Sequence, residues 1–566
     1  MPSVLFLLLR RMRLPLIILI CVYAISILGL VLIPGQDDQG NPWSMDFFHA
    51  FYFVSYMGST IGFGEIPYPF TDAQRLWTTF IIYVTVIAWL YSIGSLLTIL
   101  QDPAFRKVMR QSRFERSVKR LREPFYLICG YGDTGSLLVR SLTNRGLRVV
   151  VIDLKMDHIE TLSLEDLQMQ VPGLCADAAD PEILRVSGLT HRRCAGLVAI
   201  TDDDSVNLNI ALAGKLLAPR VPVICNAEHR ETASNMASFG TDFIINPFET
   251  FAGLLKLSIE SPHIYTLYEW LTNPRIGPIP DPVRPPRGTW VLCGYGRFGK
   301  AVSDSLRSVN IKPKIIELLP DTTSAPTDTI KGKGTEASTL LRAGVEIADA
   351  IIAGTDNDAD NLSILMTARE LNRNLFIVSR QSHRRTAPLF HAARPHLIIQ
   401  PARVVARKVL ALIQNPLLAD FLQHMREQDD AWARHLIKEM WLLAGDRDVD
   451  TWTVRINKYE APAVYNRLVQ GQAVKIAYLL RDPYRRDERM PGLAMMLKRD
   501  DIVRLEPEGE LELNINDELL IGGLLKTRET MDWILSNVKV LEYVVTGEAL
   551  PDNLIRRWIS RRYSAH

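Results

Sequence analysis

Cys129-Gly130-Tyr131-Gly132-Asp133-Thr134-Gly135 closes an apolar run, Phe125–Cys129, and opens a helical pattern that continues through Leu142. The same arrangement returns as Cys293-Gly294-Tyr295-Gly296-Arg297-Phe298-Gly299, after the apolar run Thr289–Cys293. In both copies an acid ends the next apolar run: Asp153 lies 23 residues after Gly130, and Glu317 lies 23 residues after Gly294. Further on, Thr201-Asp202-Asp203-Asp204 with Asn207 answers Thr355-Asp356-Asn357-Asp358 with Asn361. One GxGxxG arises by chance in ordinary loops. Two with the same spacing to an acid and the same residues downstream mark a repeat.

Strand, glycine loop, helix, strand and acid is the order of the mononucleotide-binding half of a Rossmann fold. Apolar runs at Gly196–Ile200, Val221–Cys225 and Asp242–Ile245 continue the alternation, so the pattern predicts α/β domains with parallel sheets. Glycine lets the backbone approach a pyrophosphate at a helix N-terminus, where partial positive charge favours an anion. Asp153 and Glu317 are placed to bond ribose hydroxyls and disfavour a 2′-phosphate, which predicts NAD over NADP. The alternative for either loop is a tight turn kept for packing. The loops differ in charge. Arg297 and Arg380, the latter at the end of the Phe376–Ser379 run, are placed to face phosphates in the second, where the first has Asp133 and Asn226. The expected ligand-binding residues are Gly130, Gly132, Asp133, Thr134, Gly135 and Asp153 in the first copy. In the second they are Gly294, Gly296, Arg297, Phe298, Gly299, Glu317 and Arg380.

Upstream of the repeat lie two uncharged apolar runs, Leu14–Ile33 of 20 residues and Leu76–Leu100 of 25. Each is long enough to cross a hydrocarbon core of about 30 Å. The first exceeds the apolar region of a signal peptide, and no small-x-small cleavage site follows it. Arg10, Arg11 and Arg13 flank the first run and eight basic residues from Arg106 to Arg122 follow the second, whereas the connecting segment carries Asp37, Asp38, Asp46, Glu65 and Asp72 against Arg75 alone. Positive charge stays inside, so both termini and the repeats are expected in the cytoplasm of a multi-pass protein of the cell (inner) membrane. Between the spans lies Asp46–Gly58, an aromatic run of one short helix, and then Thr60-Ile61-Gly62-Phe63-Gly64-Glu65.

Thr60-Ile61-Gly62-Phe63-Gly64 resembles the selectivity filter of potassium channels, commonly TVGYG followed by Asp. In such a filter backbone carbonyls replace the hydration shell of K⁺. Phe63 stands where tyrosine is common and Glu65 where aspartate is. One chain supplies one filter strand, so the pore requires a homo-oligomer, and the resemblance implies a homotetramer. Gly94 sits where such inner helices have a gating hinge, with close helix packing the alternative. Leu96, Leu97 and Leu100 lie beyond it, where they could close the inner mouth. With the pore, the two glycine-loop repeats resemble RCK domains (regulators of potassium conductance) in tandem, as in ligand-gated bacterial potassium channels. Asp177, in Ala176-Asp177-Ala178-Ala179-Asp180-Pro181-Glu182, matches that family's GDATDPE stretch and is expected to bond adenosine; its counterpart is Lys333.

The expected fold is therefore a two-span α-helical pore module, two Rossmann-like RCK domains and a C-terminal α+β lobe. The expected divisions are a pore module over 1–100 (spans 14–34 and 76–100, pore helix 46–58, filter 60–65), a basic connector over 101–123 and a first RCK domain over 124–273. A stiff proline-rich linker over 274–288, a second RCK domain over 289–440, a strand-rich lobe over 441–547 and a basic tail over 548–566 complete the chain. A net charge of +2 gives no reason to expect nucleic acid; membrane lipids and nucleotides are the expected partners. The six cysteines show no CxxC spacing and read as buried structural thiols, and no zinc site is visible. Carboxylates at 202–204, 356–360 and 506–510 could bind Ca²⁺, but the first two groups follow strands and precede helices, where they read as helix caps. The expected ligands are NAD or an adenine nucleotide, K⁺ as the permeant ion, and Ca²⁺ as a further candidate. No acid or base is positioned for hydride transfer, so no enzyme is expected. A membrane-anchored NAD-dependent oxidoreductase, a weakly selective cation channel and a regulator of a separate transporter are the competing readings.

Overall fold

A computed structural model describes residues 4–62, 68–272, 279–445 and 447–548. The filter residues Phe63, Gly64 and Glu65, the start of the 274–288 linker and all but the first residue of the 548–566 tail lie outside them. The chain forms two compact units that divide between Arg120 and Leu121.

The first unit is helical. Helix α1 (Val4–Leu32) starts well before the expected span, and α2 (Phe47–Gly58) precedes the filter segment. Helices α3 (Asp72–Gln101) and α4 (Pro103–Lys119) follow. Residues 12–32 and 72–101 are long and apolar enough to cross a membrane. The Asp46 carboxylate accepts the His49 N–H at 2.8 Å and caps α2. Thr71 and Gln74 cap α3 reciprocally. A Cβ on Gly29 would fall 2.2 Å from the Trp77 ring, so α1 and α3 touch there because residue 29 has no side chain. Trp77 Nε1 donates to Ser26 O at 3.3 Å and Trp89 Nε1 to Tyr23 Oη at 2.6 Å, tying the same pair together. Leu30, Met45, Ala50, Val54 and Ile81 form the buried centre.

The second unit contains two six-stranded parallel sheets. The first is built from β1 (Phe125–Cys129), β2 (Arg148–Asp153), β3 (Gly173–Cys175), β4 (Cys194–Ala199), β5 (Val223–Asn226) and β6 (Phe243–Ile245), in the order 3-2-1-4-5-6. Helix α5 (Asp133–Thr143) follows β1, and α6 (Asp204–Leu217) follows β4. After β6 come α7 (Pro247–Glu260) and α8 (Pro262–Leu271). The second sheet repeats the order with β7 (Trp290–Cys293), β8 (Lys314–Glu317), β9 (Ile330–Lys331), β10 (Ala350–Ala353), β11 (Phe376–Arg380) and β12 (Leu397–Ile399). Its helices α9 (Arg297–Ser308) and α10 (Asp358–Leu371) match α5 and α6. Helices α11 (Pro401–Gln414), α12 (Pro416–Met425) and α13 (Asp430–Ala444) lead onward.

The two Rossmann domains exchange helices. Phe248, Phe251, Ala252 and Leu255 of α7, which leaves the first sheet, pack into the core of the second with Trp290, Phe298 and Val302. Val405, Ala406, Val409 and Leu410 of α11, which leaves the second sheet, pack into the first with Ile128, Leu138 and Val149. Neither domain has a complete core without the other's helix.

The terminal lobe is a four-stranded antiparallel sheet ordered β13-β16-β14-β15: β13 (Asp450–Arg455), β14 (Gly492–Arg499), β15 (Ile502–Leu505) and β16 (Glu518–Gly523). Helix α14 (Leu525–Ser536) covers it. Two expectations fail here. Trp441, assigned to a strand-rich segment, lies on α13. The alternating stretch Glu510–Ile515 forms no strand, and only Glu512 makes an isolated bridge, to Lys475. Leu511 and Leu513 do turn toward the core, but the Asn514 N–H is taken by the Asp517 carboxylate at 2.7 Å, and Arg499 clamps that same carboxylate. Side chains thus supply partners that a neighbouring strand would have given.

Candidate functional site

In the first unit, α2 ends at Gly58 and the chain turns sharply. Thr60 has φ +63° and Gly62 φ +66°, while Ile61 between them keeps a negative φ. A left-handed β-branched residue is strained, since its Cβ crowds the backbone. The turn is held by Thr60 N–H donating to Met57 O at 3.0 Å and Ile61 N–H to Tyr56 O at 3.0 Å. Gly94 is exposed, and among the described residues no atom lies within 4 Å of where its Cβ would sit, so it mediates no helix contact with them. Leu96, Leu97 and Leu100 are exposed too.

In the second unit, each glycine loop runs from its central strand into a helix N-terminus. Gly130 and Gly294 take φ +109° and +94°. A Cβ on Gly135 or Gly299 would lie 2.1 Å from the carbonyl oxygen of Gly130 or Gly294, so only glycine lets each helix start so close to its strand. The acids brace the loops. Asp153 accepts the N–H of Tyr131 at 2.6 Å and of Lys155 at 2.7 Å, and Glu317 accepts those of Tyr295 at 2.6 Å and Leu319 at 3.0 Å. Each carboxylate keeps lone pairs for a ribose hydroxyl.

A cavity of about 430 Å³ opens over the second loop, bounded by Arg297, Glu317, Lys333, Asp356 and Arg380. Phe248 from the exchanged helix forms one wall. The Arg380 guanidinium lies 5.1 Å over its ring and 5.8 Å over Phe298, with Arg297 5.7 Å over Phe248. Phe298 is buried, and it is also among the residues that line the cavity. Burial pulls the Arg380 guanidinium below its ordinary value, with Glu228 and Asp356 opposing. Its Nε is buried without a hydrogen-bond partner. A buried, unmet cationic donor beside a helix N-terminus suits a phosphate, so these residues fit a nucleotide.

The first loop presents different chemistry. Asp133 occupies the place of Arg297 and accepts the Arg384 N–H, from the turn after β11, at 3.0 Å. Asn226, in the place of Arg380, has a buried Oδ1 with no partner. Thr134 is half-buried in the first turn of α5, and Asp177 accepts the Ala179 N–H at 2.8 Å beyond β3. The expected residues of each copy thus gather at the carboxyl edge of their own sheet. Phe248 was not expected. The repeated Ile244-Ile245-Asn246-Pro247 and Ile398-Ile399-Gln400-Pro401 mark where both exchanged helices start, but no local pattern tells which sheet they cover.

Members of the first two carboxylate groups bond backbone N–H groups. Asp203 and Asn357 cap α6 and α10. Asp204 accepts the N–H groups of Glu228 and His229, and Asp358 those of Ser382 and His383. Among the described residues no three His, Cys, Asp or Glu side chains are grouped to hold a metal ion.

Residues 126–247 and 290–401 each match the TrkA-N domain, and residues 16–102 match an ion channel module. The chain joins an ion-channel module to two tandem TrkA-N domains. It is homologous to prokaryotic potassium channels. Potassium channel protein 1 of Methanocaldococcus jannaschii is 27% identical over 241 residues, covering 42% of this chain and 67% of that protein. The voltage-gated potassium channel Kch of Escherichia coli is 26% identical over 210 residues, covering 37% of this chain and 48% of that one. The chain thus matches about half to two thirds of the length of these relatives. Among solved structures, the GsuK channel is 16% identical with a TM-score of 0.49, over 94% of this chain and 99% of that chain.

Proposed function

We propose that the chain is one subunit of a homotetrameric potassium channel in the cell membrane, opened or closed by nucleotide binding to its TrkA-N domains. The carrying observation is the strained turn behind α2. Left-handed Thr60 and Gly62 flank Ile61, in a segment between two helices long enough to span a bilayer. Strain of that kind persists where a fixed backbone geometry is needed, and a row of inward carbonyls is such a need. Exposed Gly94 and Leu97 suit a hinge and gate facing neighbouring copies. The unmet Arg380 Nε and the cavity above the second glycine loop support a dinucleotide there, and Glu317 favours NAD over NADP. Asp133 and Asn226 favour a smaller or less charged adenine nucleotide in the first site. Ca²⁺ enters this reading only as an ion held by ligands from more than one chain.

A nucleotide moves the gate only by its differential affinity for the open and closed states. Purified protein in liposomes, assayed for K⁺ and Na⁺ flux with NAD, ADP and Ca²⁺ added in turn, tests the reading. Nucleotide-dependent K⁺ flux is expected. Equal Na⁺ flux would replace it with a weakly selective cation channel, and no flux under any condition would end it.

A further inference from the structure

Each glycine loop is met by a turn from the opposite Rossmann domain. The turn after β5, Ala227-Glu228-His229-Arg230, reaches the second loop, and the turn after β11, Gln381-Ser382-His383-Arg384, reaches the first. Both turns are fixed from their own domain. Asp204 holds one through the N–H groups of Glu228 and His229. Asp358 holds the other through the N–H groups of Ser382 and His383 and the Thr386 hydroxyl. Charge is exchanged between the two meetings. At the second loop the loop supplies a cation, Arg297, and the turn an anion, Glu228. At the first loop the loop supplies the anion, Asp133, which accepts the N–H of Arg384 at 3.0 Å, and the turn supplies the cation.

The arginines that close the two turns have different surroundings. Arg230 is neutralised: it bonds the Glu249 carboxylate of α7, and its Nη2 lies 3.6 Å from Asp304 of α9. At the corresponding places of the repeat stand Arg403 of α11 and Arg140 of α5, both cations. Arg140 is paired with Glu165 at 3.0 Å. Arg384 is exposed, and its charge reaches the first loop. Burial pushes the phenol of Tyr131 in that loop up, Glu165 adds to the effect, and Arg140 and Arg384 oppose it. The first loop has no arginine of its own, for Asp133 and Asn226 stand where the second has Arg297 and Arg380. A cation held beside a helix N-terminus, among arginines where its counterpart has carboxylates, suits a phosphate.

We propose, on the reading of the first loop as an adenine-nucleotide site, that Arg384 of the second domain is the phosphate-binding cation of that site. The site is then complete only when both domains contribute. A diphosphate at the N-terminus of α5 would draw the Arg384 guanidinium onto it and clamp the turn after β11 to the first domain. At the second loop a phosphate takes Arg297 from Glu228 instead, which frees the facing turn. Nucleotides at the two loops thus act on the domain interface with opposite sign.

Isothermal titration of the full-length protein in detergent tests this with ADP, in an Arg297→Ala, Arg380→Ala background that strips the second loop of its phosphate cations. Saturable ADP binding is expected in that background. Adding Arg384→Gln should weaken it about tenfold, the loss of one charge-assisted hydrogen bond, and Arg384→Lys should recover part of the loss. In the otherwise unchanged chain, Arg384→Gln should leave NAD binding at the second loop as it was. Absence of ADP binding in the background chain would end the nucleotide reading of the first loop, and the role of Arg384 with it. Equal ADP affinity with and without Arg384→Gln would overturn the role of Arg384 alone and leave the first loop a nucleotide site. A lysine variant as weak as the glutamine variant would overturn it as well, since charge would then not be what the ligand reads. A matching loss of NAD affinity would do the same, by placing Arg384 at the second loop.

Discussion

Arg297 of the second glycine loop is held by Glu228 of the first domain: its Nη1 lies 2.9 Å from Glu228 Oε2 and 3.2 Å from His229 Nε2. An arginine in the first turn of a helix sits at the positive end of the helix dipole, an unfavourable place unless an anion is near. Here the carboxylate of the other domain supplies that anion, and a nucleotide phosphate must compete with it. Arg297→Ala and Arg380→Ala should each weaken NAD binding by about 1.5–3 kcal/mol, roughly ten- to 150-fold. Glu228→Gln should strengthen it, by a few-fold only, because a partly exposed pair is worth less than about 1 kcal/mol. Isothermal titration of the full chain decides. Weaker NAD binding in Glu228→Gln would mean that Glu228 positions Arg297 for the ligand instead of competing with it.

The first loop reverses the charge, and the sign of the effect follows. Asp133 stands at the N-terminus of α5 and binds the Arg384 N–H. It satisfies the helix dipole itself and repels a phosphate. Asp133→Ala should strengthen binding of an anionic mononucleotide such as ADP at this site and leave NAD affinity at the second loop unchanged. If ADP binding falls instead, Asp133 contacts the ligand.

How far the sequence shows these sites depends on the range of the interactions. Glycine loops, closing acids and the paired TDxD and Asn stretches are local, and a repeat doubles their weight. The Glu228–Arg297 and Asp133–Arg384 contacts are not. They join turns separated by 69 and 251 positions, and they exist because α7 and α11 cross to the opposite sheet. Amphipathic periodicity says that such a helix buries one face. It does not say against what, which is why Phe248 escaped notice while Phe298, beside Gly299 in the loop itself, did not. Likewise, alternation at Glu510–Ile515 correctly marks inward leucines, but it cannot show that Asp517 and Arg499 satisfy the backbone in place of a neighbouring strand.

Glu317 joins loop geometry to ligand choice. Its two oxygens accept the N–H groups of Tyr295 and Leu319. Glu317→Ala should leave both donors unmet, loosen the loop, lower NAD affinity and relax the preference for NAD over NADP. Glu317→Gln retains one acceptor and should restore much of the loop's order without the charge that repels a 2′-phosphate. Titrating NAD and NADP against both variants separates bracing from ribose selection. Equal loss of both ligands in both variants would assign Glu317 to the loop alone.

The buried thiols predict an alkaline limit. Burial pushes Cys225 and Cys293 up to about 12, far above an ordinary thiol. A raised folded-state value means that the stabilisation is complete below the ordinary thiol range, near about 8.5, and is lost as pH climbs toward 12. Thermal unfolding of the full chain should fall over that window, and Cys225→Ala and Cys293→Ala should each flatten the fall. An unchanged slope in both variants would place the alkaline loss elsewhere.

Thr60 and Gly62 allow the filter reading to be tested without crowding the pore. Among the described residues no atom lies within 4 Å of a Cβ built on Gly62, so Gly62→Ala meets no clash with them, and its cost is the left-handed backbone, about 1–2 kcal/mol. If that conformation aims carbonyls at K⁺, Gly62→Ala should sharply reduce K⁺ flux in liposomes while the protein still assembles and binds NAD. Thr60→Gly acts in the opposite sense on the backbone. It removes the strain of a left-handed β-branched residue, so the pore unit should gain roughly 1 kcal/mol of stability. The same change deletes the hydroxyl that would add a ring of oxygens at the inner end of the filter, so K⁺ preference over Na⁺ should fall. Thr60→Ser keeps the hydroxyl, and should keep the selectivity. A Thr60→Gly channel that is both more stable and fully selective would show that residue 60 serves only to turn the chain.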